Sequence, residues 1–165
     1  MCISLARSLG SALLVSLLLV VATMPAGADG PSPIAIDTDR VAIKGYDTVA
    51  YFTDGKAVKG TSLFEYEWDY AKWRFATSAH RDMFATDPDR YMPQFGGFCS
   101  SAIANEALVP ANPESWTIVD GKLYMFAGDP DPNEISLWIG DAASNIQKAN
   151  QSWPVVQSRW AAQNQ

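Results

Sequence analysis

Residues 63–77, LFEYEWDYAKWRFAT, decide the fold class because large apolar and polar side chains alternate along them. Alternation with a period of two is typical of a strand with one buried face. The aromatic residues on such faces, three in a first strand and two in a second, are Phe64, Tyr66, Trp68, Trp73 and Phe75. The short connection at 69–71 joins the two strands and predicts an antiparallel hairpin.

A second hairpin is predicted at residues 115–126, SWTIVDGKLYMF, where Asp120 and Gly121 form a two-residue turn between alternating runs. Upstream, two short apolar runs flank Gly45, and the pair Asp54-Gly55 marks another tight turn. No internal repeat is apparent in the sequence.

Between and after the hairpins the pattern changes to a helical one. Ser78 is a good N-cap, and a helix from it ends at Pro88 and is followed by one further turn closed by Pro93. Residues 134–140 and 142–153 also have helical patterns, whereas 100–109 fit either a short helix or an irregular loop. These elements together predict a small single α+β domain of antiparallel β-hairpins packed with short α-helices.

The N-terminal segment has the features of a secretory signal peptide. Arg7 precedes an apolar run that is too short for a typical membrane span, and the run ends in the small-residue pattern Ala26-Gly27-Ala28. We therefore expect a signal peptide at 1–28, a linker at 29–40, one domain at 41–160 and a tail at 161–165. The expected location of the mature chain is the periplasm or the extracellular medium.

Charge and cysteine content narrow the class of partner. The chain has 12 Lys and Arg against 18 Asp and Glu, a formal net charge of −6, and no basic cluster. Nucleic acid and, after signal cleavage, membranes are therefore not expected partners, whereas a small ligand or a metal ion is. Because Cys2 leaves with the signal peptide, Cys99 is the one cysteine of the mature chain.

Cys99 follows Gly96 and Gly97, which permit a sharp turn that presents the thiol to a pocket. Three interpretations remain open for this thiol: a small buried hydrophobic residue, a soft metal ligand or a nucleophile. An idle exposed thiol is not expected in an oxidising compartment.

Other candidate site residues follow from their side-chain chemistry. His80 is the single histidine of the chain and Met92 is a thioether donor, so Cys99, His80 and Met92 are the predicted ligands of a copper-like ion. Phe98 and Tyr46 border the glycine segment and are predicted, with Cys99 and His80, to line a ligand pocket. A tetrapyrrole is a further candidate ligand for such an aromatic lining. The bland alternatives are a half-exposed histidine and aromatic core residues.

Several segments of the sequence, taken in their order along the chain, resemble the longer exported members of the YHS domain family. They are GYDTVAYF at 45–52, FATSAHRDMFATDPDRYMP at 75–93, PQFGGFC at 93–99, DGKLYMF at 120–126 and the late Trp153-Pro154. In metal-binding members of the family the resemblance implies three thiolate ligands. The corresponding positions of this chain hold Ala50, Ala76 and His80, so two of the three ligands are replaced by methyl groups.

The resulting hypothesis is an exported, non-enzymatic YHS-type binding domain with a site for a soft metal ion or a metal-containing ligand near Cys99. The first alternative is a structural or protein-interaction module that has lost the family's metal ligands. The second is a thiol-dependent enzyme in which Cys99 and His80 form a dyad.

Overall fold

The structure, a computed structural model, describes residues 33–164. The expected signal peptide, residues 29–32 of the expected linker and Gln165 lie outside the described residues. Six helices and two antiparallel two-stranded sheets make up this part of the chain, which confirms the predicted α+β class. The helices are α1 (Ala50–Thr53), α2 (Ser78–Thr86), α3 (Pro88–Tyr91), α4 (Ser100–Ile103), α5 (Pro132–Gly140) and α6 (Ala142–Gln163). The strands are β1 (Thr61–Trp68), β2 (Ala71–Phe75), β3 (Asn112–Val119) and β4 (Lys122–Phe126).

The first hairpin pairs β1 with β2 in the predicted place, with Tyr66 opposite Trp73. Its turn is one residue shorter than predicted, because Ala71 already pairs with Trp68. The two turn residues, Asp69 and Tyr70, both have left-handed backbone conformations (φ 48° and 60°), which match the right-handed twist of the strands.

The second hairpin pairs β3 with β4 and has the predicted Asp120-Gly121 turn. Strand β4 is buried on both faces: Leu123 and Met125 belong to one hydrophobic cluster, and Tyr124 and Phe126 to another. We call these the first and the second cluster. By contrast, β2 alternates between buried and partly exposed residues. Strand β4 therefore connects the two clusters into one core.

Helix α2 begins one residue earlier than the sequence predicts, because its cap is Thr77 and not Ser78. The Thr77 side chain accepts a hydrogen bond from the backbone N–H of His80 at 3.1 Å, and Ser78 is the first helical residue. Both residues are good N-caps, and the extended backbone of Thr77 decides between them. On the buried face of α2, the ring of Phe84 packs on Trp73 and Phe75 of the first cluster.

Helix α6 is longer than predicted, because it continues past Pro154 to Gln163. Proline removes one backbone hydrogen bond inside a helix, and packing on both sides of the proline offsets that cost. Ala149 and Val156 are buried in the second cluster, and the ring of Trp153 lies 5.7 Å from that of Phe95.

Residues 33–40, assigned to a linker by composition, pack against the domain. Ile34 is buried, Ala35 donates a backbone hydrogen bond to Gly96, and Ile36 pairs with Ala42. None of the helices between residues 33 and 164 has the length and apolar character needed to cross a membrane.

Candidate functional site

Asp47 is the centre of a polar cluster in which its carboxylate accepts four hydrogen bonds. Its side chain is fully buried, and it lies between the 3₁₀ turn Ile43–Gly45 and helix α1. Oδ1 accepts hydrogen bonds from the backbone N–H groups of Val49 (2.9 Å) and Ala50 (3.2 Å). These N–H groups lack partners within the first turn of a helix, so Asp47 fixes the start of α1. This cap is why the apolar run at 48–52 forms a helical turn.

The other carboxylate oxygen of Asp47 holds the start of α2. Oδ2 accepts a hydrogen bond from the backbone N–H of Ala76 at 2.8 Å and lies 2.7 Å from Nδ1 of His80. A carboxylate that accepts hydrogen bonds on both oxygens has no proton to give, so Nδ1 of the imidazole is the donor. In the neutral ring, Nε2 then carries a lone pair.

Nε2 of His80 faces the surface at the C-terminal end of α1. It lies 3.4 Å from Oγ1 of Thr53 and 4.0 Å from Oδ1 of Asp54. The Thr53 hydroxyl has one proton, and it donates that proton to Oδ1 of Asp54 at 2.8 Å. The lone pair of Nε2 therefore does not accept it. The side chain of His80 is 14% exposed and that of Asp54 is 45% exposed, so an ion in solvent can reach the space between them.

This arrangement has the parts of a carboxylate–histidine–metal unit. A buried carboxylate fixes the tautomer and the ring, and the outer nitrogen lies beside the Thr53 hydroxyl and the Asp54 carboxylate. At the present separation of 4.0 Å, a metal ion bonded at about 2.0–2.2 Å to both Nε2 and Oδ1 of Asp54 requires the two ligands to lie nearly opposite each other across the ion. Within residues 33–164, no group of three or more His, Cys, Asp or Glu side chains is arranged to hold a metal ion.

Cys99 lies elsewhere in the fold. It is buried in the second cluster, where its backbone N–H donates to Val109 at 2.8 Å and its backbone pairs with Met125. Its burial matches the first of the three interpretations that the sequence left open. No hydrogen bond joins Cys99 to His80 in the described residues, so a shared ligand or a dyad stays a prediction.

The remaining predicted site residues are dispersed. Phe98 is buried beside Cys99, and Met92 packs at the edge of the first cluster. The hydroxyl of Tyr46 donates to Glu114 at 3.1 Å, and its ring lies 4.2 Å from Nζ of Lys59. Burial, and next the hydrogen bond to Glu114, raise the pKa of the Tyr46 phenol.

Surface clefts do not join these residues either. Three clefts with volumes of about 270, 590 and 210 Å³ lie on the described part of the chain, and none of the three is lined by Cys99 or His80. The cleft of about 210 Å³ touches Gly97 and Ala111, close to the predicted glycine turn.

The three positions that the family resemblance implies do come together in space. Ala50 and Ala76 donate their backbone N–H groups to Asp47, and His80 binds the same carboxylate through its ring. These side chains cannot bind a metal ion through three thiolates, because two of them are methyl groups. The space around these positions is organised by Asp47.

Sequence reasoning named His80 as a candidate but did not single out its neighbours Asp47, Thr53 and Asp54. Asp47 and His80 are separated by 33 positions, and only the hairpin between them brings them together. One signal was present: an Asp just before an apolar run is a helix-capping residue.

Comparison of the sequence with models of known protein families, with curated proteins and with solved structures gave no match.

Proposed function

We propose that this chain is an exported, non-enzymatic binding domain of YHS type that binds a divalent transition-metal ion at His80. Nε2 of His80 is the principal ligand, Asp54 is the second protein ligand, and Asp47 orients the imidazole without touching the ion. The observation that carries the proposal is the 2.7 Å contact between Nδ1 and the buried carboxylate, which leaves Nε2 directed at a surface carboxylate.

The donor set favours copper(II). An imidazole nitrogen and a carboxylate oxygen suit borderline divalent ions, and copper(II) binds most tightly among the first-row divalent ions. The soft donors Cys99 and Met92 lie in or against apolar clusters, so His80 is a better position for the ion than the thiol. The net charge of −6 favours cations over anions.

Copper(II) titration of the full exported chain, followed by calorimetry and electron paramagnetic resonance, tests this proposal. We expect one ion per chain with hyperfine structure from a single nitrogen ligand. His80→Ala should abolish this binding, and Asp54→Asn should weaken it by about 10-fold or more, since even the outer-shell partners of a metal ligand contribute about 10- to 100-fold in affinity.

Asp82→Asn is the matched control, because it removes the same charge from an exposed position on α2. It should leave the affinity unchanged. Unaltered copper binding by His80→Ala would rule out the site.

One observation favours a second candidate, a structural or interaction module without a metal. The four hydrogen bonds of the Asp47 carboxylate tie together α1, the end of β2 and α2, which is a sufficient structural role. Under this alternative the wild-type chain does not bind copper(II), and His80→Ala lowers only stability. The buried Cys99 provides no comparable support for a thiol-dependent enzyme.

A further inference from the structure

We infer that the domain is an internal duplication in which Cys99 occupies the place of Asp47. Residues 43–86 form the first unit and residues 95–140 the second. The inference is independent of the metal proposal and rests on backbone geometry that recurs at a nearly constant spacing.

Each unit begins with three consecutive residues in the left-handed region. Their φ angles are 51°, 51° and 76° at Ile43, Lys44 and Gly45, and 57°, 62° and 82° at 95–97. This conformation is rare for a β-branched residue such as Ile43. Each turn is closed by the same hydrogen bond at 3.1 Å, from Tyr46 to Ile43 and from Phe98 to Phe95.

The segment after each turn makes the same backbone pairs. Asp47 donates to Val58 at 2.9 Å, and Cys99 donates to Val109 at 2.8 Å. The flanking bridges also correspond, since Tyr46 pairs with Lys59 as Phe98 pairs with Pro110. Asp47 and Cys99 therefore hold the same position in the two units.

The hairpins and the helices after them correspond as well. Each hairpin has an eight-residue and a five-residue strand, a register shift at the same place and a two-residue left-handed turn. The nine-residue helices α2 and α5 each place an aromatic ring on two aromatic residues of the preceding strand. Phe84 lies 5.1 and 5.2 Å from Trp73 and Phe75, and Trp138 lies 5.1 and 5.2 Å from Tyr124 and Phe126.

A shared irregularity supports the same alignment. Thr48 follows Asp47 and Ser100 follows Cys99, and both hydroxyls are buried without a hydrogen-bond partner. Buried unpaired hydroxyls are uncommon, so their recurrence at corresponding positions indicates a common frame.

The duplication assigns a structural role to the surroundings of Cys99. In the first unit, the N–H groups of Val49, Ala50 and Ala76 bind a carboxylate. The corresponding N–H groups of the second unit belong to Ser101, Ala102 and Ala127. The Cys99 side chain, a weak acceptor, makes no cap hydrogen bond, and under the duplication position 99 suits a stronger acceptor although it lies in an apolar cluster.

Two substitutions at position 99 test the duplication. In an ordinary apolar site a neutral amide is tolerated better than a carboxylate, because burial of a charge costs more. In a frame of three N–H donors the order reverses, because the NH₂ group of Asn opposes a donor whereas a carboxylate accepts from all three.

We expect Cys99→Asp to melt at a higher temperature than Cys99→Asn at neutral pH and to retain the wild-type circular dichroism spectrum. Ala104→Asp, at a similarly buried position without a counterpart acceptor, is the control and should lose the fold. A higher melting temperature for Cys99→Asn, or loss of the fold in Cys99→Asp, overturns the inference.

Discussion

A single buried carboxylate, that of Asp47, organises the candidate site. It is fully buried, and each of its oxygens makes two hydrogen bonds. Oδ1 contacts the start of α1, and Oδ2 contacts residue 76 and α2. Such a group is stable in the interior only because every lone pair is used. The stability of this region should therefore depend on the charge of Asp47 as well as on its size.

Asp47→Asn should lower the free energy of unfolding by about 3 kcal/mol, since charge-assisted hydrogen bonds are lost and a buried N–H donor is left facing an NH₂ group. Urea denaturation measures the change. Asp82→Asn, an exposed carboxylate on α2, should alter stability by less than about 0.5 kcal/mol. A loss below about 1 kcal/mol in Asp47→Asn would contradict the central role of this carboxylate.

Asp69 makes a pH-dependent contribution to stability, and unlike Asp47 it destabilises the fold when it is ionised. Burial raises the pKa of its carboxyl group. The folded state then binds a proton more tightly than the unfolded state does, so the group destabilises the fold above its titration range and this penalty disappears as the pH falls.

Asp69→Asn should therefore be more stable than the wild type at neutral pH, with the difference shrinking toward acidic pH. Denaturation at several pH values measures this dependence. Asp120→Asn, at the corresponding exposed turn position with φ 50°, isolates the effect of Asn on the turn itself. A difference for Asp69→Asn that does not vary with pH would refute the burial argument.

Among single residues, the sequence named His80 as a candidate ligand, and burial of Cys99 was one of the three interpretations that it left open. Side-chain type and nearby residues were enough for these predictions. Asp47 escaped notice because its partner is 33 positions away, and a contact of that range depends on the tertiary fold.

The glycine turn at 95–97 is the element that joins the N-terminal residues of the domain to the core. Gly96 has a φ of +62°, and a Cβ atom there would lie 2.1 Å from the carbonyl oxygen of Pro33. Gly55 has the same φ but no neighbouring atom within 4 Å of its Cβ position. The two glycines therefore separate backbone strain from steric overlap.

We expect Gly55→Ala to cost about 1–2 kcal/mol from left-handed strain alone. Gly96→Ala should cost at least about 2 kcal/mol more, because the chain at Pro33 must move. Thermal and urea denaturation of both variants check the difference. Equal losses would mean that residues 33–35 do not pack on this turn.

Among the helices and strands, both hairpins and, to within one residue, the start of α2 followed from local patterns, namely alternation, turn residues and a capping residue. Helix α1 and the extension of α6 past Pro154 did not. The first depends on the Asp47 cap, and the second on packing of Ala149 and Val156 in the second cluster. Local propensity reports neither contact.

The molecule as a whole is united by strand β4, which contributes to both hydrophobic clusters. Leu123 and Met125 of β4 are buried in the first cluster. The corresponding residues of β2 are Lys72 and Arg74, which are partly exposed. The two units are therefore alike in backbone, but corresponding residues differ in burial and so in side-chain type. These differences in side-chain type explain why no repeat is apparent in the sequence.

Leu123→Ala should lower the free energy of unfolding by about 2–5 kcal/mol, as expected for a cavity in a packed core, while unfolding remains one cooperative transition. Leu63→Ala, at a residue that is 79% exposed, should cost less than about 0.5 kcal/mol. Calorimetry together with near-ultraviolet circular dichroism measures both. Two separate transitions would show that the clusters are independent.

The binding role depends on which nitrogen of His80 carries the proton in the neutral ring. Because the chain has a single histidine, its ring signals in a ¹⁵N-labelled sample are assigned without ambiguity. The decisive measurement is the pair of ring ¹⁵N shifts at about pH 8.5, above the range in which imidazoles ordinarily titrate, before and after addition of the diamagnetic ion zinc. We expect a protonated Nδ1 and a zinc-induced shift confined to Nε2. A proton on Nε2, or an Nε2 shift that zinc leaves unchanged, would contradict metal binding at His80.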